Sequence, residues 1–216
     1  MKLFFLSVLF SIALALCGNT QTITSNDLFR KIYIGIENPI SIMPYTVSEE
    51  NVSVVVDIGR IRKTGSFKYA WEICTSERSF AVLKIYNKNE LIDSIVWRII
   101  LLPDPILFIN QQNGEIFFKG MQGIRSSLEN SPIENIKCTI QQFTVSIEKR
   151  SGKKIDLINY GNFYSEEVTN AFNALKIGDK VTLSNFSVFV GCETRPRQLK
   201  ATFTQVYSGK KYEFRY

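Results

Sequence analysis

Histidine is absent from all 216 residues of the chain. Without an imidazole, the protein cannot build a Ser-His-Asp or Cys-His catalytic group, a histidine-ligated zinc site or a histidine proton relay. The four cysteines form no Cys-x-x-Cys pair, and the sequence contains no glycine-rich phosphate loop and no calcium-binding loop. We therefore predict no catalytic residues, no cofactor and no metal, and we expect that the protein is not an enzyme.

Two weaker catalytic patterns do not change this expectation. The Ser-x-x-Lys pattern of penicillin-binding enzymes begins at Ser151 and at Ser208, but both copies contain a glycine and fall between strand-like segments. We expect basic hairpin turns at both places. The carboxylates that could pair in a glycoside hydrolase are adjacent or isolated, and nothing places two of them across a cleft. These candidates are Glu49, Glu50, Asp93, Asp104, Glu166 and Glu167.

Only one long hydrophobic run is present, and it lies at the N-terminus. Residues 3–16 are almost wholly apolar and follow Lys2. The run has about 14 residues, fewer than the roughly 20 that a membrane-spanning helix needs. It predicts a cleaved signal peptide over residues 1–17 and a periplasmic or exported protein. Cys17 supports a second interpretation as the lipidated residue of an outer-membrane lipoprotein, and we expect membrane attachment only in that case.

The remainder of the chain predicts an all-β protein with one short helix, because short strand-like segments alternate with turn residues. Residues 18–29 are polar and are expected to form a flexible lead-in. Residues 30–101 and 102–216 each contain enough strands for an Ig-like β-sandwich, so we predict two such domains in tandem. Pro103-Asp104-Pro105 begins the second domain. Proline fixes φ and removes a backbone donor, so this run predicts a stiff elbow.

Two long strands of the second domain change their apolar phase midway. In residues 136–147 and again in residues 180–190, the apolar positions move from one parity to the other. A slip of one residue would turn the apolar side chains to the opposite face of the sheet. We therefore predict one β-bulge at Gln141-Gln142 and another at Ser184-Asn185, which would keep a single buried face.

The single helix is predicted over residues 166–176. Ser165 has the side chain of an N-cap, and apolar residues follow at helical spacing. Gly178 comes just after the end of this segment, as a helix C-terminus often requires. In the first domain, residues 80–86 are apolar on both faces except at Lys84, which predicts a central strand or one near a contact between modules.

Three cysteines remain if the signal peptide is cleaved after Cys17. We expect Cys74, Cys138 and Cys192 to be small buried core residues, and a Cys138–Cys192 bridge is the alternative, since an exported protein can form disulfides. The formal net charge is +6, and residues 193–216 contain six cations and two acidic residues. This charge indicates either a solvated sheet edge or a surface for acidic proteins or anionic lipid. Nucleic acid is not an expected partner outside the cytoplasm.

Three motifs occur in the order in which one protein family carries them. Residues 33–41 read YIGIENPIS, residues 102–105 read LPDP, and residues 173–181 read NALKIGDKV. Together they resemble the C-terminal half of the GldM/PorM family, the periplasmic shaft subunits of the gliding-motility and type IX secretion motor of Bacteroidetes. The resemblance implies that residues 30–101 correspond to the third shaft domain and residues 102–216 to the fourth. The positions that carry over as structural landmarks only are Asn38, Pro39, Pro103, Asp104, Pro105 and Gly178.

The resemblance implies an interaction function. Shafts of this family are usually dimers that reach towards an outer-membrane ring and are driven through an N-terminal transmembrane helix. Here a predicted signal peptide replaces that helix and the first two shaft domains. We therefore expect a stand-alone accessory or adaptor whose partner is a protein, such as the ring components of type IX secretion, and a homodimer is a further expectation. The alternative is a generic periplasmic or surface Ig-like module that binds protein or glycan.

Overall fold

The computed structural model describes residues 23–24, 30–43, 47–109, 111–112, 115–116, 118, 123–128 and 136–209. Over these residues the protein is all-β with one short helix, as the sequence predicts. The chain divides into two compact units. The first contains the described residues up to Tyr33 and Glu37–Ile100, and the second contains Ile34–Ile36 and the described residues from Leu101 onwards. The predicted signal peptide lies outside the described residues.

The first unit is built from two sheets of four strands. One has the order β1-β3-β6-β5 and the other the order β2-β8-β7-β4, and every pair is antiparallel except β2 with β8. A single 3-10 turn, Glu49–Asn51, precedes β4. The strands of this unit are β1 (Ile23–Thr24), β2 (Lys31–Tyr33), β3 (Glu37–Met43), β4 (Val52–Val56), β5 (Arg60–Gly65), β6 (Lys68–Glu72), β7 (Phe80–Asn87) and β8 (Glu90–Ile100).

Two tryptophans join the sheets of the first unit. Trp71 on β6 and Trp97 on β8 are buried, and their rings meet edge to face with centroids 6.2 Å apart. The indole of Trp71 donates a hydrogen bond of 2.9 Å to the carbonyl of Ile58. Because one ring comes from each sheet, this contact forms the centre of a sandwich core.

The segment that reads as one strand over residues 32–36 is divided in the structure. The chain leaves β2 after Tyr33, passes through Gly35 at φ +91°, and joins the other sheet at Glu37. The buried amide of Asn38 fixes this change of sheet. Its oxygen accepts from the Tyr33 N–H (2.8 Å), and its nitrogen donates to the carbonyls of Tyr33 (2.9 Å) and Trp71 (3.1 Å). An alternating sequence could not reveal this break, because both halves are strand-like.

Pro39 follows Asn38 within β3, and the sheet tolerates it for a local reason. Ile42 donates its N–H to the Phe67 carbonyl, so alternate residues of β3 point their backbone groups towards β6, and Pro39 points away. On that side the described residues of β1 pair with Ile42 and Met43 and do not reach Pro39. Proline is accepted where no ladder bond is needed. The same pairing shows that Ile23–Thr24, inside the predicted flexible lead-in, forms a short paired strand.

The second unit is organised around one five-stranded sheet. Its order is β14-β13-β15, and both β16 and β17 pair with the far side of β15. The helix α1 and two small sheets, β9 with β12 and β10 with β11, complete the unit. The elements are β9 (Ile106–Phe108), β10 (Gln111–Gln112), β11 (Glu115–Ile116), β12 (Arg125–Ser127), β13 (Cys138–Glu148), β14 (Lys154–Tyr160), α1 (Glu166–Asn173), β15 (Lys180–Val190), β16 (Arg197–Leu199) and β17 (Phe203–Val206).

Both predicted bulges are confirmed. The register of β13 against β15 shifts by one residue between Ile140 and Gln142 and shifts back between Gln142 and Thr144. The second bulge places Asn185 at φ +56°. The two irregularities keep the apolar residues of both strands on one buried face, where Phe143 stacks on Phe186 with centroids 5.2 Å apart.

The helix begins as predicted and ends three residues early. The Ser165 hydroxyl caps it by accepting from the Val168 N–H (3.3 Å). At the other end, α1 stops at Asn173, and the Lys176 N–H donates to the Asp179 carboxylate (2.9 Å) instead of to a helical carbonyl. A side-chain acceptor therefore competes with the helix for a backbone donor, and periodicity alone could not show that.

We expect Asn38→Ala to lower the free energy of unfolding by about 3 kcal/mol, because three buried backbone groups lose their partner. Urea unfolding followed by tryptophan fluorescence measures this, since both tryptophans lie in the first unit. Thr64→Ala, at an exposed position of β5, is the control and should cost less than about 0.5 kcal/mol. Equal effects for the two variants would contradict the role given to Asn38.

Candidate interaction surface

The outer face of β7 carries apolar side chains that the core does not use. Ala81, Leu83 and Ile85 of this strand are completely buried. The alternate positions point away from the core, and Phe80 there is 55% exposed. The side chains at these alternate positions therefore project from the solvent-facing side of the sheet and do not contribute to the core of the first unit.

Neighbouring strands extend this surface. Val82 lies directly opposite Val96 of β8, whose side chain is 51% exposed, and Val55 of β4 lies opposite Lys84 and is 50% exposed. Directly opposite and diagonal side chains on one face of a sheet are within contact range. We call Val55, Phe80, Val82 and Val96 the apolar face. They form one surface that spans three strands.

The apolar face also carries positive charge. Lys84 lies between Val55 and Ser94 in the register, and Arg98 lies opposite Phe80. Among the residues that the structure describes, neither cation has an ion-pair partner, whereas Arg78 at the rim is paired with Asp57. The apolar face would therefore meet an acidic, partly apolar surface more favourably than a basic one.

Asp57 holds the end of β4 against β7. Its carboxylate accepts from the Val82 N–H (2.7 Å) and from the Arg78 guanidinium, and its own N–H donates to the Val82 carbonyl (3.1 Å). Burial alone would raise the pKa of this carboxyl, but the hydrogen bonds from Val82 and Arg78 outweigh burial and hold the pKa below its ordinary value. The Asp57 carboxylate thus fixes the rim of the apolar face, and its charge is balanced by the Arg78 guanidinium.

The LPDP segment is held by Arg197, which sequence reasoning did not select as a functional residue. The Arg197 guanidinium donates to the carbonyls of Leu102 (2.7 Å) and Pro103 (2.8 Å), reaches the Asp104 carboxylate at 3.3 Å, and is paired with Glu193. Leu102 is buried, whereas Pro103 and Asp104 are exposed. Removing one member of a buried ion pair costs about 3–5 kcal/mol. The predicted landmark is therefore a fixed backbone segment of the second unit.

Arg197, Glu193 and Pro105 are more buried than the sequence predicts. The cations after residue 193 were expected at a solvated edge or on a partner surface, but the Arg197 side chain is only 10% exposed and its partner Glu193 only 6%. Neither charge is available to a partner. Pro105, the last residue of the predicted elbow, is buried beside the start of β9.

Asp179 forms the second buried charged site. Its carboxylate accepts from the N–H groups of Lys176 (2.9 Å) and Arg150 (3.1 Å) and from the Lys149 ammonium (3.0 Å). Gly178, the predicted landmark before it, has φ +94°, a conformation that favours glycine. Burial alone would raise the pKa of Asp179, but these donors outweigh it and hold the pKa below its ordinary value.

Of the two Ser-x-x-Lys copies considered for catalysis, one lies wholly within the described residues. Ser151 lies in the hairpin between β13 and β14, where the Gly152 N–H donates to the Lys149 carbonyl (2.8 Å), so the predicted basic turn is confirmed at this copy. The second Ser-x-x-Lys copy begins at Ser208, and its lysines lie outside the described residues.

The cysteine expectation was wrong in part. Cys74 and Cys192 are each disulfide-bonded, so they are not reduced core residues. Cys138 is a free thiol, which rules out the Cys138–Cys192 bridge. Burial raises the pKa of the Cys138 thiol. The sequence contains no local spacing that would identify the bonded residues, because all three cysteines are far apart in the chain.

Asp179→Asn is expected to lower stability at pH 7 by about 1–3 kcal/mol, because the amide cannot accept from three donors as the carboxylate does. A depressed pKa in the folded state stabilises the protein above about pH 4, and this contribution is lost as the pH falls through the folded pKa. The difference in stability between the variant and the parent should therefore shrink as the pH falls below about 4.

Urea unfolding followed by far-UV circular dichroism at pH 7 and pH 3 measures both effects. Glu148→Gln is the matched control, because this carboxylate is exposed and its nearest cation is 3.9 Å away. The control should change stability by less than about 0.5 kcal/mol at either pH. A difference between Asp179→Asn and the parent that persists undiminished at pH 3 would contradict the electrostatic explanation.

Within the described residues, no helix is both long and apolar enough to span a membrane. The chain matches no protein-family model, and no curated protein is similar to it in sequence.

Proposed function

We propose that this chain is an exported, non-enzymatic protein-binding module, which acts as a stand-alone accessory or adaptor in the manner of a shaft domain. The observation that carries the proposal is the apolar face of the first unit. Four apolar side chains share one side of a sheet whose other side is already packed into a core. Contiguous exposed apolar surface on a folded protein typically marks a site of interaction.

The composition of this surface and its position on an open sheet face favour a macromolecular partner over a small molecule. Its side chains project from three adjacent strands that carry a fixed core on the opposite side. A small ligand is usually bound in a concave pocket, whereas proteins bind to flat surfaces with an apolar centre and a polar rim. Val55, Phe80, Val82 and Val96 supply the centre, and Lys84 and Arg98 supply polar groups that an acidic partner could meet.

The size of the surface limits the affinity that it can provide alone. Full burial of an apolar side chain contributes about 1.5–3 kcal/mol, so covering three half-exposed side chains and the less exposed Val82 contributes at most about 3–6 kcal/mol. A Kd of 1 mM corresponds to about 4 kcal/mol, and association also has entropic costs. A partner that binds usefully must therefore make further contacts near the apolar face.

The relation to the GldM/PorM shaft is supported by the roles of the three motifs in the fold. Asn38 of the first motif holds the change of sheet, the LPDP carbonyls are held by Arg197, and Asp179 of the third motif holds the turn after α1. Each motif thus takes part in a buried polar contact that stabilises the fold, so proteins that share the fold would be expected to share these residues. On this proposal the partner is a ring component of the type IX secretion system.

The direct test is binding of the purified protein to purified outer-membrane ring components, measured by biolayer interferometry. We expect Val96→Glu to weaken binding at least tenfold, because a carboxylate in the centre of a contact must be desolvated. Thr204→Glu is the matched control, since it adds the same charge to an exposed strand position of the second unit and should leave binding unchanged. Absence of binding by the parent protein would count against the proposal.

A glycan is the second candidate ligand, and the outer face of the second unit's sheet favours it. Hydroxyl and amide groups line this face. The hydroxyl oxygens of Thr182 and Thr204 are 3.1 Å apart, and the amide nitrogen of Asn185 donates to the hydroxyl of Thr144 at 3.3 Å. Tyr160 at the edge strand is 69% exposed. Sugars are bound by such polar groups together with an aromatic ring on which they stack.

For the glycan candidate, we expect a neutral oligosaccharide to bind the parent protein and Tyr160→Ala to bind at least fivefold more weakly, because the stacking surface is removed. A glycan array followed by calorimetry on any ligand found measures this. Phe80→Ala removes an exposed aromatic ring from the first unit and is the control. No binding on the array, or equal binding by all three proteins, would eliminate the candidate.

A further inference from the structure

The apolar face ends at β4, which is the edge strand of its sheet. The direction of its backbone groups follows from two hydrogen bonds to β7 and the loop after it. Lys88 donates its N–H to the Asn51 carbonyl (2.6 Å), and Asp57 donates its N–H to the Val82 carbonyl (3.1 Å). In an antiparallel pair these groups alternate along the strand. Ser53 and Val55 therefore point theirs towards β7.

The intervening residues of β4 point their backbone groups to the open edge. Val52 donates its N–H to the Glu49 carbonyl, so only its carbonyl is available there. Val54 and Val56 present both an N–H and a carbonyl, and the described part of the chain contains no partner for them. The edge therefore offers two donors and three acceptors in the spacing of a sheet ladder.

The composition of β4 leaves this edge without the protection that edge strands commonly carry. Proteins commonly protect edge strands with charged residues or proline, which disfavour pairing with another chain. β5, at the edge of the other sheet, contains Arg60, Arg62 and Lys63, and β14, at the edge of the second unit's sheet, contains Lys154 and Asp156. β4 reads VSVVV and contains neither a charge nor a proline.

We infer that β4 accepts an extended segment of a partner protein as an added strand, which lies beside the apolar face. This inference rests on the proposed function and states how the partner binds. An added strand would place alternate side chains beside Val55 on the outer side of the sheet. It would satisfy the open backbone groups of Val54 and Val56 and supply the further contacts that the apolar face needs.

The chemistry of the partner segment follows from its neighbours. Positions beside Val55 favour an apolar or β-branched residue, which pairs well across strands. Lys84, on the strand next to β4, makes a carboxylate on the same side of the segment favourable. A second copy of this chain is a poorer occupant, because β4 reads VSVVV and would bring no carboxylate to Lys84.

The test uses the full chain and a defined probe, a capped seven-residue peptide that alternates valine with threonine and carries one central glutamate. We expect the amide hydrogens of Val54 and Val56 to exchange at least tenfold more slowly when the peptide is present, as measured by NMR. The amide of Val55 already faces β7 and should be unaffected. The same peptide with N-methyl groups on alternate residues cannot form the ladder and should give no protection.

Two variants test the edge itself. Val54→Pro removes an outward-facing N–H without removing a bond to β7 and should weaken peptide binding at least tenfold. Ile158→Pro is the matched control on β14. The Lys149 N–H donates to the Lys153 carbonyl, so the backbone of Ile158 also faces an open edge, and its replacement should leave binding unchanged. If Val54→Pro does not fold, the N-methylated peptide still decides the question.

Equal binding of the N-methylated and unmodified peptides, or equal binding by Val54→Pro and the parent, would overturn the inference. So would protection of Val54 that depends on protein concentration without peptide, since it would identify a second copy as the occupant. Binding to the outer-membrane ring component distinguishes the proposed function from strand addition at β4. If Val96→Glu weakens it and Val54→Pro does not, the apolar face is a binding site and strand addition is wrong. If the parent protein binds and neither variant matters, the apolar face is not the binding site. If the parent protein does not bind, the proposed function is wrong as well.

Discussion

The first unit depends on one strand that is apolar on both of its faces. The inner residues of β7, among them Leu83 and Ile85, are completely buried and form the core beneath the sheet. The outer residues cannot join that core, because successive side chains of a strand point in opposite directions. β7 therefore pairs with β8 on one edge and with β4 on the other, and it also presents apolar side chains to solvent. That coexistence is the physical basis for the interaction function proposed here.

In both units, buried polar side chains form hydrogen bonds with backbone groups that have no partner in a strand ladder. Asn38 holds a change of sheet, Arg197 holds the carbonyls before a strand, and Asp179 collects the N–H groups of two turns. A buried backbone group without a partner is costly, so such contacts restrict the conformations available to each segment. The three motifs that suggest a family resemblance thus coincide with positions of high structural constraint. Rigid supports of this kind suit a protein that presents a surface to a partner.

Several features could be predicted because they depend on local sequence. The two bulges follow from the phase of the apolar residues, and the start of α1 follows from the Ser165 cap. Other features could not be predicted, because they depend on residues that are distant in the chain. The end of α1 is determined by Asp179, and the LPDP segment by Arg197, which is more than 90 residues away in sequence. β5 lacks an apolar alternation that would predict it, because Arg60, Arg62 and Lys63 occupy half of the strand, and it forms by pairing with β6.

The sequence by itself determined the all-β class, the phase of the long strands, the absence of histidine chemistry and the two-sided apolar character of residues 80–86. These properties follow from residue type and from periodicity along a short stretch of chain. Only the tertiary structure decided which side of β7 is covered, that β4 lies at an open edge, and which charged residues are buried in pairs. Those outcomes depend on which strands become neighbours, and strand pairing is set by contacts between residues that the sequence keeps far apart.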